Sequence, residues 1–322
     1  MQSPAALLAA PFPPAQAGTL TCVGVAIPPA SMDGEGWFAA TAPFVTQKER
    51  ATARRFHHAA DGVRHLVGRA VTRRVLQATC GHQDVADFLR TPWGKPVYPG
   101  EGLQFSIAHS GAMVWTAFCH RHPVGIDVEL MRPLPDLAQI AAMLHPAERQ
   151  AITRCSPHDT SAFYRCWTRK EAVLKALGQG LSIPLDAFQV ATGHQPTGWL
   201  ATPVHHLCEQ VQPPAAIPAA GPTAATPPQM RFAHTGEGAS NGERAWHASP
   251  CKWTTRDIDS GSGYCCSVAA CAPDLPVNVF LIDTNTPGAY PFPVTAAQEK
   301  ATATGPKVPH AAIRNPAGSC RR

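Results

Sequence analysis

Apolar residues recur at Val63, Leu66, Val67, Ala70, Val71 and Val75 within "DGVRHLVGRAVTRRVLQAT". That i, i+3, i+4, i+7 spacing predicts an amphipathic helix, with a shorter helix before it from about Gln47 to Phe56. "TPWGKPVYPGEG" reads as a turn-rich connector. "LQFSIAHSGAMVWTAFCH" alternates and is rich in β-formers around a central glycine, which predicts two strands joined by a tight turn. "VGIDVEL", Val124 to Leu130, predicts the next strand. "LPDLAQIAAML" and "PAERQAI" read as helical, with Pro146 in a first-turn position. "DTSAFYRCWTRKEAVLKALG" is the clearest helix of the second half, with Gly178 placed to stop it. "IPLDAFQV", "AWHASPCKW" and "GYCCSVAACA" read as further strands. Past Asp274 no clear element is predicted, although "VNVFLI" reads as one more strand. Antiparallel strands with helices on one face place the chain in the α+β class.

Composition adds domain organisation to this picture. The 322 residues suffice for two ordinary domains, and 15% charged residues with 33 Pro and 25 Gly describe a globular chain diluted by loops. The Pro- and Ala-rich stretch 211–250 reads as a flexible insertion. The opening "MQSPAALLAAPFPP" lacks a basic n-region and is broken early by proline, so residues 1–18 read as a loose leader and not a secretion signal. No apolar run approaches the ~20 residues needed to span a membrane. The eleven cysteines are odd in number and form no CxxC pair, from which a reducing, cytoplasmic setting is inferred. "CHRH" (Cys119, His120, His122) fits no standard zinc spacing and reads as a hairpin turn.

The net charge of +5 is unevenly placed. Lys48, Arg50, Arg54, Arg55, Arg64, Arg69, Arg73 and Arg74 stand against only Glu49 and Asp61. A helical region so biased would attract phosphates or an acidic protein surface. The plainer alternative is a solvated basic helix face.

Candidate chemistry begins in VGIDVEL. Asp127 and Glu129 are two apart on a predicted strand and so share a face, where they repel one another and lose hydration. In "CWTRKEAVLKALGQGL", Trp167, Glu171 and Lys175 are spaced by four and line one helix face. A Glu–Lys pair alone is usually a surface ion pair. Beside a tryptophan, and with two strand carboxylates in need of a partner, it suggests an oxygen-rich site for Mg²⁺, with Lys175 complementing phosphate charge. No P-loop is present, and no GxGxxG precedes a helix, so a nucleotide is not held in either of those ways.

"FSIAHSG", "VGIDVE" and "FYRCWTRKEAVLKALGQGL", in this order and at these separations, resemble the 4′-phosphopantetheinyl transferases of the Sfp type. The resemblance covers about residues 45 to 190, with weaker support over 246 to 273, and "RRFHH", Arg64 and "WGKP" fall where that family places coenzyme A contacts. It implies transfer of the 4′-phosphopantetheine group of coenzyme A to a serine of an apo acyl or peptidyl carrier protein, with release of 3′,5′-ADP. By analogy Asp127, Glu129 and Glu171 would hold Mg²⁺, Glu171 would take the serine proton, and Lys175 would stabilise phosphate charge. His109 would contact a phosphate of coenzyme A, and Arg64 and Lys95 would hold its nucleotide end. Glu148 falls where the family has an acidic residue near the metal. The implied fold is a pair of pseudo-twofold α+β halves, each an antiparallel sheet with a long helix, and the active site between them. That places the halves at 1–123 and 124–274, the second interrupted by 211–250, with 275–322 a largely disordered tail. A monomer without nucleic-acid or membrane partners is also implied.

The chain departs from the family pattern at Ala108, where a serine is usual, and at Glu49 and Thr52, where basic residues are common. These departures bear on the nucleotide pocket and leave the carboxylate motif intact. Two other readings of the same residues stay open: a Mg²⁺-dependent phosphohydrolase acting on coenzyme A or a nucleotide, and a non-catalytic coenzyme A-binding protein.

Overall fold

The computed structural model describes residues 3–31, 34–81, 85–99, 102–155, 159–194, 198–202, 253–272 and 274–283. The inserted stretch 211–250 and the chain beyond 283 lie outside the described residues. The chain opens with α1 (Pro4–Ala9), β1 (Leu20–Ala26), α2 (Glu35–Thr41) and α3 (Gln47–Ala53), then the long helix α4 (Ala59–Cys80). The short strands β2 (Leu89–Arg90) and β3 (Pro96–Val97) pair with each other, and β4 (Leu103–Ser110) and β5 (Met113–His120) form the expected hairpin. Next come β6 (Val124–Leu130), α5 (Leu137–Ala141), α6 (Pro146–Thr153) and α7 (Ser161–Leu177). The strands β7 (Leu200–Thr202), β8 (Trp253–Asp257), β9 (Tyr264–Ala270) and β10 (Val277–Asp283) complete the described chain.

Two four-stranded sheets result, ordered β10-β1-β5-β4 and β6-β9-β8-β7. The mixed helix and sheet architecture is that of the expected α+β class. The apolar stripe of α4 (Val63, Leu66, Val67, Ala70, Val71) packs on Val25, Phe105 and Phe118 of the first sheet. α7 covers β6 and β9 with Ala172, Val173 and Ala176. A third apolar cluster, including Cys22, Trp115, Ile126, Val128 and Val268, joins the two sheets. "CHRH" links β5 to β6, but these strands belong to different sheets, so the turn is not a hairpin.

Three expectations give way to tertiary context. The leader is not loose: Leu7, Leu8 and Phe12 are buried in the first core. Arg74 also donates to Ala10 O at 2.9 Å, and Ala15 N–H to Thr79 Oγ1 at 2.8 Å. "VNVFLI" is indeed a strand, and it crosses to the first sheet to pair in parallel with β1 from Leu20↔Val277 to Ala26↔Asp283. That sheet is therefore mixed, not wholly antiparallel. "IPLDAFQV" is a folded-back turn segment, not a strand. Its backbone is held by Lys170 Nζ, which donates to the carbonyls of Leu185 and Phe188, while Ile183, Phe188 and Val190 are buried against α7's core.

The basic segment is not simply a solvated face either. Arg73 pairs with Glu49 at 2.8 Å and donates to Ala86 O at 2.7 Å, and both Arg69 and Arg73 are buried. Seven described cysteines are free thiols, but Cys271 is disulfide-bonded. The reducing setting inferred from the sequence does not account for that bond, because pairing depends on which cysteines the fold brings within reach. Among the described residues no helix is long and apolar enough to cross a membrane.

Candidate active site

The site is built where β6 lies against α7. Along β6, Ile126 and Val128 face the inter-sheet core, which leaves Gly125, Asp127 and Glu129 on the opposite face. Gly125 is the contact point. A Cβ there would overlap Ala172 O and Ala176 N of α7, so only glycine lets the helix settle on the strand. Glu171 and Lys175, one turn apart on α7, are thereby brought beside the strand carboxylates. Lys175 Nζ donates to Asp127 Oδ1 at 2.6 Å, with Asp127 nearly buried and Lys175 32% exposed.

A cavity of about 620 Å³ opens at this junction, and Asp127, Glu129, Glu171, Lys175, His109 and Lys95 are among the residues that line it. Six of the eight candidates from sequence thus line one cavity. Arg64 is not among the lining residues. Its guanidinium pairs with Asp61 and donates to Gly111 O at 2.8 Å, at the tip of the β4–β5 hairpin. Lys95 lines the cavity, but its ammonium donates to Val124 O at 3.2 Å and Ala176 O at 3.1 Å, which straps the end of α7 to the start of β6. Glu148 lies elsewhere. It is fully buried, pairs with Lys170 at 3.0 Å and accepts from Val190 N–H at 2.6 Å and His145 N–H at 3.0 Å. Those partners occupy both its oxygens, so the expected place near a metal is corrected to a structural one.

Three further groups at this cavity were given no individual role by sequence reasoning. His65 and Arg69, one turn apart on α4, line it, as does Trp93, which is 61% exposed. His65 and Arg69 were hidden within a basic segment whose inward positions only the fold reveals. Ser110 was quoted within a motif without a role, yet its Oγ donates to Glu129 Oε2 at 2.8 Å.

The electrostatics follow from three carboxyl groups facing one ammonium. Burial raises the pKa of Asp127, against the opposing effect of Lys175. Burial likewise raises Glu129, opposed by its Ser110 hydrogen bond and reinforced by Asp127. Glu171 is raised by burial and then by Asp127. At Lys175 burial works to lower the pKa, but Asp127, their hydrogen bond and both glutamates outweigh it, so the ammonium is held charged. Burial, with Arg64 and Lys175, lowers His109 to about 4, so the imidazole is neutral near pH 7.

As arranged, no three His, Cys, Asp or Glu side chains among the described residues converge closely enough to hold one ion. Asp127 instead bonds Lys175, and Glu129 bonds Ser110. The donor set nevertheless fits a hard cation. Asp127 Oδ2 is buried without a hydrogen-bond partner, and a buried acceptor left bare is costly unless something occupies it. All-oxygen donors with surplus negative charge suit Mg²⁺, which takes one or two carboxylates and completes its shell with water and phosphate.

Comparison with known proteins identifies the family. The family model of the 4′-phosphopantetheinyl transferase superfamily matches residues 123–217, which begin just before the carboxylate strand. The 4′-phosphopantetheinyl transferase ffp of Bacillus subtilis is 32% identical over 168 residues, 51% of this chain and 73% of its own length. The 4′-phosphopantetheinyl transferase Sfp of Bacillus subtilis strain 168 is 34% identical over 152 residues, 46% of this chain and 66% of its own. The 4′-phosphopantetheinyl transferase HetI of Nostoc sp. is 30% identical over 175 residues, 52% and 73%. With its carboxylate strand, its Glu–Lys helix face and these relatives, the chain belongs to the 4′-phosphopantetheinyl transferases of the Sfp type and is an enzyme of that family.

Proposed function

We infer that this cavity is where the chain transfers phosphopantetheine from coenzyme A to a carrier protein, in a Mg²⁺-dependent reaction that releases 3′,5′-ADP. The observation that carries the site assignment is the unpartnered Asp127 Oδ2 beside Glu129, Glu171 and Lys175 on one cavity wall. Asp127, Glu129 and Glu171 would hold Mg²⁺, which when bound neutralises charge on the pyrophosphate of coenzyme A. Glu171 stands to accept the proton of the carrier serine, directly or through water. The serine oxygen forms its bond to the phosphorus of the pantetheine phosphate as that phosphorus separates from the oxygen of the leaving nucleotide. Lys175 faces the negative charge that gathers on that leaving oxygen. Neutral His109 donates one N–H to a phosphate oxygen. Lys95 and Arg64 act at the nucleotide end through the elements they fasten: Lys95 the junction of α7 with β6, Arg64 the hairpin tip.

We also read the chain as two halves, 1–123 and 124–274, with the site between them, related by a pseudo-twofold axis. The seam between β4 of one sheet and β6 of the other supports the division. β10, which follows residue 274, pairs with β1, so the first half is read as including it. The carrier is read as an acyl or peptidyl carrier, and the enzyme as a cytoplasmic monomer.

The test is to incubate purified protein with coenzyme A, Mg²⁺ and apo carrier and to read carrier mass and released nucleotide together. Transfer predicts a gain of one phosphopantetheine per carrier and one 3′,5′-ADP. A phosphohydrolase would consume coenzyme A without a carrier, and a non-catalytic binder would do neither.

A further inference from the structure

We propose that Ser110 is a positioning residue for the transfer reaction, holding Glu129 in the carboxylate cluster while it fastens the metal-facing strand to the strand that carries His109. The proposal rests on the assignment of Glu129 made above. Ser110 Oγ donates to Glu129 Oε2 at 2.8 Å and accepts from Leu130 N–H at 3.1 Å. Its single proton is thus committed to the carboxylate, and a lone pair to the next amide along the same strand. Glu129 and the backbone beside it are held by one hydroxyl.

No backbone ladder joins β4 to β6: β4 pairs with β5, and β6 with β9. Across the apolar contact of the two sheets, serine side chains supply hydrogen bonds instead. Ser106 Oγ accepts from Ile126 N–H at 3.2 Å, four residues before the Ser110–Leu130 contact on both strands. Ser106, Ala108 and Ser110 share one face of β4, and the middle position carries no hydroxyl. Only Ser110 also reaches a cluster carboxylate.

The hairpin tip is anchored so that Ser110 cannot drift. Gly111 turns with φ of 54°, and a Cβ there would meet Tyr264 Oη at 2.5 Å and Leu130 Cδ2 at 2.9 Å. Arg64 donates to Gly111 O at 2.8 Å, and Ala112 N–H donates to Tyr264 Oη at 2.8 Å. Tyr264 is itself the β9 partner of Leu130. The tip is therefore gripped from α4 on one side and from β9 on the other.

The test measures Mn²⁺ binding to the metal-free protein by the loss of free-ion paramagnetic resonance signal, alongside thermal unfolding. Ser110→Ala should weaken Mn²⁺ binding about tenfold, as expected when the group orienting a ligand is removed. Ser106→Ala should lower the unfolding temperature by a similar amount yet leave Mn²⁺ affinity unchanged, and Ser110→Thr should restore it. Should the alanine variant fail to fold, Ser110→Cys fills the space with a weak donor and should show the same loss. Wild-type affinity in Ser110→Ala, or an equal loss in Ser106→Ala, would overturn the proposal. A wild-type protein that transfers phosphopantetheine but binds no Mn²⁺ would overturn the Glu129 assignment itself, and the proposal with it.

Discussion

Lys175 on α7 donates to Asp127 on β6 at 2.6 Å, and it takes only one of the two carboxylate oxygens. The other, Oδ2, is buried and bare. The ion pair thus holds the carboxylate in place and leaves its second oxygen unpaired. Removing the ammonium should leave Asp127, Glu129 and Glu171 without this counter-charge and remove the group proposed to face the leaving oxygen. Lys175→Met should slow transfer about 100-fold, the scale on which loss of one preorganised donor acts. Steady-state kinetics with apo carrier in excess would check this, and a loss under threefold would contradict it.

The approach of Gly125 to Ala172 sets the distance between β6 and α7. Gly125→Ala forces a Cβ into the helix backbone, which no side-chain rotation relieves. Destabilisation of roughly 2 kcal/mol or more is expected from such overpacking, with transfer lost as Glu171 and Lys175 move off Asp127. Urea unfolding followed by tryptophan fluorescence would measure the first, and a stability equal to wild type would refute the close packing.

Glu148 and Lys170 form a pair with both side chains fully buried. Glu148→Ala strands the lysine, and breaking such a pair from one side costs about 3–5 kcal/mol. Glu148→Ala with Lys170→Met should recover much of that loss. Mn²⁺ affinity of the folded single variant should match wild type. A selective loss of metal binding with stability intact would return Glu148 to the metal site.

Lys95 offers a pH test. Burial lowers its pKa from 10.5 to about 8, so between those values the unfolded chain binds more protons than the folded one. The energetic penalty of the buried ammonium is therefore present below pH 8 and is relieved as pH rises from about 8 toward 10.5. The unfolding temperature of wild type relative to Lys95→Met should rise between pH 7.5 and pH 9.5. A difference that stays flat or falls would contradict the shift.

Much of this was legible in the chain because the periodicities were strong. The stripe Val63–Leu66–Val67–Ala70–Val71 marked α4, and the alternation around Gly111 marked the β4–β5 hairpin. Asp127, Glu129, Glu171 and Lys175 were found because strand and helix spacing each put two of them on one face. What escaped depends on partners distant in sequence. Leu7, Leu8 and Phe12 look like a mildly apolar leader until α2 and α4 cover them. Val277–Ile282 finds its partner in β1 on the other sheet. Ile183–Val190 alternates like a strand, but Lys170 and Glu148 capture its carbonyls and amide and fold it back as a turn. Ser110 belonged to a recognisable motif, yet its contact with Glu129 exists only across a seam that no local pattern announces.

The central claim is that Glu171 takes the proton of the carrier serine within this carboxylate cluster. Single-turnover transfer from coenzyme A to apo carrier by Glu171→Gln, with coenzyme A binding measured on the same preparation by calorimetry, tests it most directly. The account predicts that coenzyme A still binds while transfer falls at least about 100-fold, the lower range for loss of a positioned general base. Transfer at near wild-type rate with coenzyme A bound would contradict it.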